Sequence, residues 1–195
     1  MSSLQPTVMK FGGTSVGDAL AFVRAADLVK RNSACRPVVI VSAMCGFTDA
    51  LIECVRAAEA GDAGRAALTL EEHFGRHTEV ARASLSPAAA SEFAPCVAES
   101  REEIRATLRE VSEGKGPRER LQDSVVSHGE RLSAELLAAV LRARGARARC
   151  VDARRCVMTD DEHGRATPLK DETERCTREE LEPLLEAGEV PVLGG

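Results

Sequence analysis

Val8-Met9-Lys10-Phe11-Gly12-Gly13-Thr14-Ser15-Val16-Gly17 is the stretch whose reading decides the fold. Apolar residues lead into a lysine, then into two adjacent glycines, two hydroxyls and a third glycine, the pattern of a strand that ends in a turn. The next segment, Asp18 to Val29, carries Ala19, Leu20, Phe22, Val23, Ala26, Leu28 and Val29 at helical spacing. Glycines at such a turn adopt φ values that other residues avoid and let a ligand approach the backbone. Backbone N–H groups and a helix N-terminus then converge on one spot and favour an anion. Lys10 is the side chain there that brings a full positive charge, so the stretch reads as a phosphate site with the lysine acting on the phosphoryl group that moves. It reads equally as an ordinary strand-to-helix turn beside a solvated lysine. The glycines fall at 12, 13 and 17 and the lysine precedes them, so neither GxGxxG nor GxxxxGK[ST] is present.

Working outward, Pro37-Val38-Val39-Ile40-Val41-Ser42-Ala43-Met44 is an apolar, β-branched run, as expected of a parallel strand covered on both faces. Strand, helix, strand is a βαβ unit with a right-handed connection. Ser42 to Thr48 closes the second strand much as the glycine pair closes the first, with Gly46 allowing the turn and Thr48 capping a helix from Asp49 to Ala60. Ligands of parallel sheets gather beyond the carboxyl ends of the strands. Both loops belong at that edge, which raises the site reading above the bland one.

Composition narrows the function classes. The 195 residues are 44% hydrophobic and 29% charged, which suits one globular domain with a sizeable core. Five Phe, no Trp, no Tyr and a net charge of −5 leave neither stacking platforms nor a basic footprint, so nucleic acid is not an expected partner. The 7 cysteines are widely spaced and form no CxxC pair, fitting reduced thiols in a cytoplasmic protein better than disulfides or structural zinc. Met1-Ser2-Ser3 leads almost directly to the first strand without a charged-then-apolar leader, and no apolar run approaches membrane-spanning length.

Residues 61–114 read as two long helices, Ala63 to Arg82 and Pro87 to Val111. His73 and His77 share a helical face but lack the HExxH pattern, and are expected to be solvated or capping. Ser112 to Pro117 is a loop. Leu132, Leu136, Leu137, Val140 and Leu141 then mark a helix ending at Gly145. Gly129 inside it costs about 1 kcal/mol relative to alanine, which suggests that something approaches the backbone beside Glu130. Glu130 itself is either one more surface acid or a site residue, and it lacks a basic partner at i+4. Ala148 to Val151 is a short strand, Val157-Met158 a candidate for another, and Thr159 to Pro168 a polar loop in which Gly164 sets Arg165. Arginine's planar fork suits a carboxylate, though Arg165 equally neutralises its acidic surroundings. Asp171 to Ala187 is helical, clearest from Thr177, where Thr177-Arg178-Glu179-Glu180 has a capping-box shape. Pro191-Val192-Leu193-Gly194-Gly195 is a strand beginning to turn. A buried strand entering a glycine turn is a poor end for a domain, so a truncated chain is expected.

Taken together, these segments resemble the aspartate kinase family, within the broader amino-acid kinase fold. Lys10-Phe11-Gly12-Gly13-Thr14-Ser15-Val16 matches the family's opening signature. Val41-Ser42-Ala43-Met44 with Gly46 and Thr48 is similar to its second loop, and Ser127-His128-Gly129-Glu130-Arg131-Leu132-Ser133-Ala134 to the start of its substrate helix. Gly164-Arg165-Ala166-Thr167-Pro168 resembles its substrate arginine loop, and Pro191-Val192 with Gly195 its next glycine turn. Asp49 stands where asparagine is usual and His163 where phenylalanine is.

The resemblance implies an α/β fold of three layers, a mostly parallel central sheet flanked by helices, with residues 1–195 as the substrate-side portion of the kinase domain. The nucleotide-binding half and the regulatory domains would follow. It implies transfer of the γ-phosphoryl group of Mg-ATP to the β-carboxylate of L-aspartate, the first step towards lysine, threonine and methionine, in a cytoplasmic homo-oligomer. ATP with Mg2+ held mainly through the nucleotide is the implied cofactor, and no metal-ligating residue is assigned. Lys10 would stabilise the moving phosphoryl group, assisted by the N–H groups of Gly12 and Gly13 and by Ser15. Ser42 and Thr48 would hold the substrate in the second loop. Glu130 would take aspartate's α-amino group and Arg165 its α-carboxylate. Another carboxylate or carbamate kinase of the same fold is the nearest alternative. A non-catalytic fragment that binds aspartate or assembles with a partner is the other, and residues 1–195 alone are expected to show little turnover.

Overall fold

A computed structural model describes residues 5–195, so the reading of Met1 to Ser3 lies outside the described residues. Four strands, β1 (Thr7–Phe11), β2 (Pro37–Val41), β3 (Ala148–Cys150) and β4 (Val190–Gly194), form one parallel sheet in the order β1-β2-β4-β3. In the central strands β2 and β4 the apolar residues alternate between two buried faces, whereas Val8 on edge strand β1 is exposed. Val39, Val41, Val190 and Val192 enter the larger core, while Val38 and Leu193 enter a smaller one.

Six helices supply the outer layers: α1 (Ala19–Arg31), α2 (Phe47–Glu59), α3 (Ala63–Ser84), α4 (Pro87–Ser112), α5 (Arg118–Ala143) and α6 (Lys170–Glu186). The leucine stripe of α5 (Leu132, Leu136, Leu137 and Leu141) is almost wholly buried beneath the sheet, with α1 beside it and α2, α3 and α4 packed around it. On the other face, Leu181 and Leu185 of α6 close the smaller core with Val151 and Cys156. This is the expected three-layer α/β architecture with a wholly parallel sheet. Among the described residues no helix is long and apolar enough to cross a membrane.

Several local expectations need correction. β2 stops at Val41, because Ser42 to Gly46 has already left the sheet. Gly46, at φ +80°, is the residue that starts α2, so Thr48 lies inside the first helical turn and is not its cap. Val157-Met158 forms no strand; only Thr159 and Pro168 make a single antiparallel bridge. Helix α6 begins at Lys170, and Thr177, well inside it, donates its hydroxyl to the Cys156 carbonyl at 3.1 Å instead of capping. His77 is neither solvated nor capping: it is fully buried, with Nδ1 2.8 Å from the His73 carbonyl.

Gly129 answers the question its position raises. A Cβ there would stand 2.9 Å from the Ala43 Cβ and 3.6 Å from Phe47 Cδ1, so what approaches the backbone is the loop after β2, with the start of α2. Gly129→Ala is therefore expected to destabilise the fold by about 1–3 kcal/mol through overpacking, although alanine is the better helix former by about 1 kcal/mol. Urea unfolding midpoints of the two proteins measure the difference, and a midpoint that rises would show that the helix term wins.

Candidate functional site

The strands run parallel, so their carboxyl ends share one edge, and the candidate residues are set by what each strand does on leaving the sheet. β1 delivers Lys10 in register with Ile40, one residue before the sheet ends. Its Nζ lies 3.2 Å from Ser42 Oγ and donates to the Gly195 carbonyl at 2.8 Å, while the Ser42 hydroxyl donates to the same carbonyl at 3.1 Å. Three strand ends, those of β1, β2 and β4, are thus tied at one point. Lys10 remains solvent-exposed, so its charge faces outward over the edge.

Glu130 arrives from α5. A Cβ on Gly194 would sit 2.9 Å from the Glu130 Cβ, which shows how tightly the end of β4 packs against that turn of the helix. Half-burial raises the Glu130 carboxyl above its usual pKa, and the nearby charge of Lys10 acts in the opposite direction. Lys10 thus stands between Ser42, which its Nζ reaches at 3.2 Å, and Glu130, whose carboxyl feels its charge. Beside Glu130 opens a cavity of about 400 Å³, bounded by Ser127, Arg131, Asp152, Arg154 and Gly194. Its arginines already have acidic partners: Arg131 bonds Glu103 at 3.2 Å, and the Arg154 side chain holds the Asp152 carboxyl below its ordinary range.

The glycine turn differs in mechanism from the expectation. After Gly12 the chain makes a short 3-10 turn over Gly13–Val16 before α1 starts. The α1 N-terminus is already capped by the Asp18 carboxylate, which accepts from Ala21 N at 2.8 Å and places a negative charge where an anion would bind. Gly12 and Gly17 have ordinary negative φ values, and Gly13 is not among the positive-φ residues. What the glycines supply is space. A Cβ on Gly13 would meet the Ala43 carbonyl at 2.8 Å, whereas one on Gly12 would meet nothing within 4 Å, leaving that backbone open to a ligand. Ser15 N donates back to Gly12 O at 2.8 Å, so the N–H groups of Gly13 and Thr14 stand at the open end of the turn.

Thr48 is exposed on the first turn of α2, just past the loop that follows β2. Arg165 is placed differently. It follows Gly164, at φ +75°, on an exposed loop whose Gly164 N–H donates to Asp123 Oδ2 at 2.9 Å. Asp123 lies two turns before Glu130 on α5, about 10 Å along the helix axis. The structure thus groups Lys10, Gly12, Gly13, Ser42 and Glu130 around the strand ends and sets Arg165 at the flank. The sequence reading missed the Gly195 carbonyl as the partner of Lys10. A pair of glycines ending a parallel strand was the available signal. Among the described residues no group of three or more His, Cys, Asp or Glu side chains is arranged to hold a metal ion.

Fold and site define a class: a parallel α/β domain with a lysine and an open glycine turn at the carboxyl edge of its sheet. The chain belongs to the Amino acid kinase family, which it matches over residues 5–195. Within that family its fold is that of the aspartokinases. It is 30% identical over 163 residues to lysine-sensitive aspartokinase 3 of Escherichia coli, covering 83% of this chain and 34% of that protein. With a bifunctional aspartokinase/homoserine dehydrogenase of Zea mays it shares 30% identity over 154 residues, 79% of this chain and 17% of the relative. The crystal structure of E. coli aspartokinase III in complex with aspartate and ADP (R-state) superposes with a TM-score of 0.83 at 29% identity, over 98% of this chain and 40% of that one. The same enzyme with lysine and aspartate (T-state) gives 0.86 at 29% identity, over 97% and 40%. The chain therefore spans about a third of the E. coli relative and less of the maize one.

Proposed function

We propose that this chain is the acceptor-side portion of an aspartate kinase, which transfers the γ-phosphoryl group of ATP to the β-carboxylate of L-aspartate to give 4-phospho-L-aspartate. The observation that carries the reading is the meeting of Lys10, Ser42 and Glu130 over three strand ends, beside the open backbone of Gly12. A carboxylate with a reference pKa near 4 is already ionised at neutral pH and needs no general base. Catalysis then reduces to alignment and to stabilising charge on the moving group. Lys10 supplies that charge, and the N–H groups of Gly13 and Thr14 at the open end of the turn, beside the bare backbone of Gly12 and with Ser15, cradle the phosphates. Ser42 and Thr48 hold the β-carboxylate. Glu130 takes the α-amino group, which its place on the wall of a cavity of about 400 Å³ suits. Arg165 takes the α-carboxylate, which requires its loop to swing in from the Asp123 end of α5. The Mg2+ that accompanies ATP neutralises phosphate charge and is carried by the nucleotide.

The aspartate and ADP bound by E. coli aspartokinase III support this choice of substrates. In the same reading residues 1–195 are one part of the kinase domain, the enzyme is a cytoplasmic homo-oligomer, and lysine, threonine and methionine synthesis is its setting. Trapping the acyl phosphate with hydroxylamine, using aspartate, glutamate and N-acetylglutamate as competing acceptors in the intact protein, tests the assignment. Preference for N-acetylglutamate would replace it with another kinase of the fold, because that acceptor has no free amino group for Glu130. Glu130→Gln and Arg165→Ala are each expected to raise the KM for aspartate about tenfold to a hundredfold with a smaller change in kcat, as loss of a charge-assisted contact of about 1.5–3 kcal/mol requires. An Arg165→Ala enzyme with unaltered aspartate KM would remove that residue from the site.

A further inference from the structure

Arg76 lies on α3, outside every loop named so far, yet its guanidinium reaches two of them. Nη1 donates to the Cys45 carbonyl at 3.0 Å, in the loop after β2, and Nη2 to the Gly17 carbonyl at 3.5 Å, at the end of the glycine turn. His73, one helical turn earlier, has Nδ1 3.3 Å from Arg76 Nη1. Arginine only donates, so His73 Nδ1 is the acceptor and its proton sits on Nε2. Burial first, and the Arg76 charge second, hold the His73 pKa below its ordinary value, which keeps the ring neutral for that role. The ring stacks on Phe47, the first residue of α2, with centroids 5.1 Å apart and planes at 14°.

We propose that Arg76, oriented by His73, is a positioning residue that ties the glycine turn to the second loop and fixes the distance between the phosphate-holding and acceptor-holding groups. The inference rests on the phosphotransfer reading above. The two loops already touch: a Cβ on Gly13 would meet the Ala43 carbonyl at 2.8 Å, and one on Gly17 the Cys45 Cβ at 3.8 Å. Contact of that kind sets how near the loops come, and a hydrogen-bonded tie sets how far apart they move. Among the described residues, the hydrogen bonds linking Gly13–Gly17 to Ala43–Phe47 run through Arg76. Charge-assisted bonds from one planar group suit this task.

Cys45 gives a readout that needs no turnover, since it is an exposed free thiol in the tied loop, and Cys35, exposed at the amino end of β2, serves as an internal reference. In Arg76→Gln, iodoacetamide labelling of Cys45, followed by peptide mass spectrometry on the intact protein, is expected to accelerate several-fold while Cys35 is unchanged. Arg76→Lys keeps the charge but has a single ammonium to reach two carbonyls, so it should recover part of the protection; it also carries the test if the glutamine variant does not fold. Aspartate kinase activity of Arg76→Gln should lose about tenfold to a hundredfold in kcat, with KM for both substrates nearly unchanged, as a small misalignment of reacting groups predicts. Unchanged Cys45 labelling, or a loss that appears only in KM, would overturn the proposal. If the natural protein phosphorylates no amino acid, the functional reading fails by itself and the labelling still decides whether the tie exists.

Discussion

Lys10→Ala in the intact protein is expected to lower kcat for phosphoryl transfer about 10²–10³-fold, the loss typical of removing one preorganised donor at a centre of developing charge. The KM for aspartate should move little. Lys10 is fixed at both ends, by strand pairing with β2 at its backbone and by Ser42 Oγ and the Gly195 carbonyl at its Nζ, so its charge is in place before any substrate arrives. In the proposed reading, an amino acid held by Glu130 and Arg165 does not need that lysine to bind. The reacting phosphoryl group does, because negative charge on its oxygens is what the transition state redistributes. Lys10→Arg should recover little, since a longer planar fork cannot fill the place of a point charge between a hydroxyl and a carbonyl. Lys10→Ala also removes the charge that draws the Glu130 pKa down, so aspartate affinity in the variant should weaken at a higher pH than in the parent as the pH is lowered. Steady-state kinetics that show KM rising as much as kcat falls would move Lys10 from transition-state stabilisation to simple binding.

The parts of this site that could be read from the sequence are those where local chemistry and location coincide. Lys10 followed by Gly12 and Gly13 is a local pattern, and two loops at the carboxyl edge follow from parallel strands alone. Gly129 signalled close approach because a glycine in a helix is costly, yet whether ligand or protein approaches depends on Ala43, 86 positions earlier in the chain. Errors arose where tertiary packing overrides a local signal. Thr177 has the neighbours of a capping box, but α6 gains a further two turns before it, where Thr173 Oγ1 bonds Met158 in both directions, accepting from its N–H and donating to its carbonyl at 3.0 Å. His73 and His77 occupy positions that a polar helix face would leave solvated, and Phe47 from α2 covers both. Arg76 was illegible for a similar reason, because its acceptors are main-chain carbonyls and carbonyls carry no sequence signature.

Acidification from pH 6.5 to about 4 is expected to remove several kcal/mol of stability, most of it through two buried histidines. Burial lowers the His77 pKa to about 4, against a smaller opposing effect of its bond to the His73 carbonyl. Burial followed by the Arg131 charge lowers the His128 pKa to about 4, although Glu103 opposes this. Each ring has one nitrogen without a partner, His77 Nε2 and His128 Nδ1, so protonation would bury a charge with one N–H unsatisfied. In the unfolded chain both titrate near 6.5. Between that value and about 4 the unfolded state binds protons that the folded state does not, so stability rises with pH across the window and is fully present above it. A displacement of that size corresponds to about 3 kcal/mol for each histidine. Glu130, whose pKa is raised, acts in the opposite sense around its own titration and offsets a small part of the loss. Asp152 and Asp160 have lowered values and contribute only at more acid pH. His73, whose pKa burial also lowers, adds to the loss with the same sign, so urea midpoints at several pH values should fall steadily across this range, and His77→Phe or His128→Phe should each flatten the fall by somewhat less than half of its depth. Since His128 directly precedes Gly129 and Glu130, the same acidification should loosen that turn of α5, and, if Glu130 holds the acceptor as proposed, aspartate binding should weaken in parallel with the midpoint. A doubly substituted protein that keeps the parent's slope would show that the protons are taken up elsewhere.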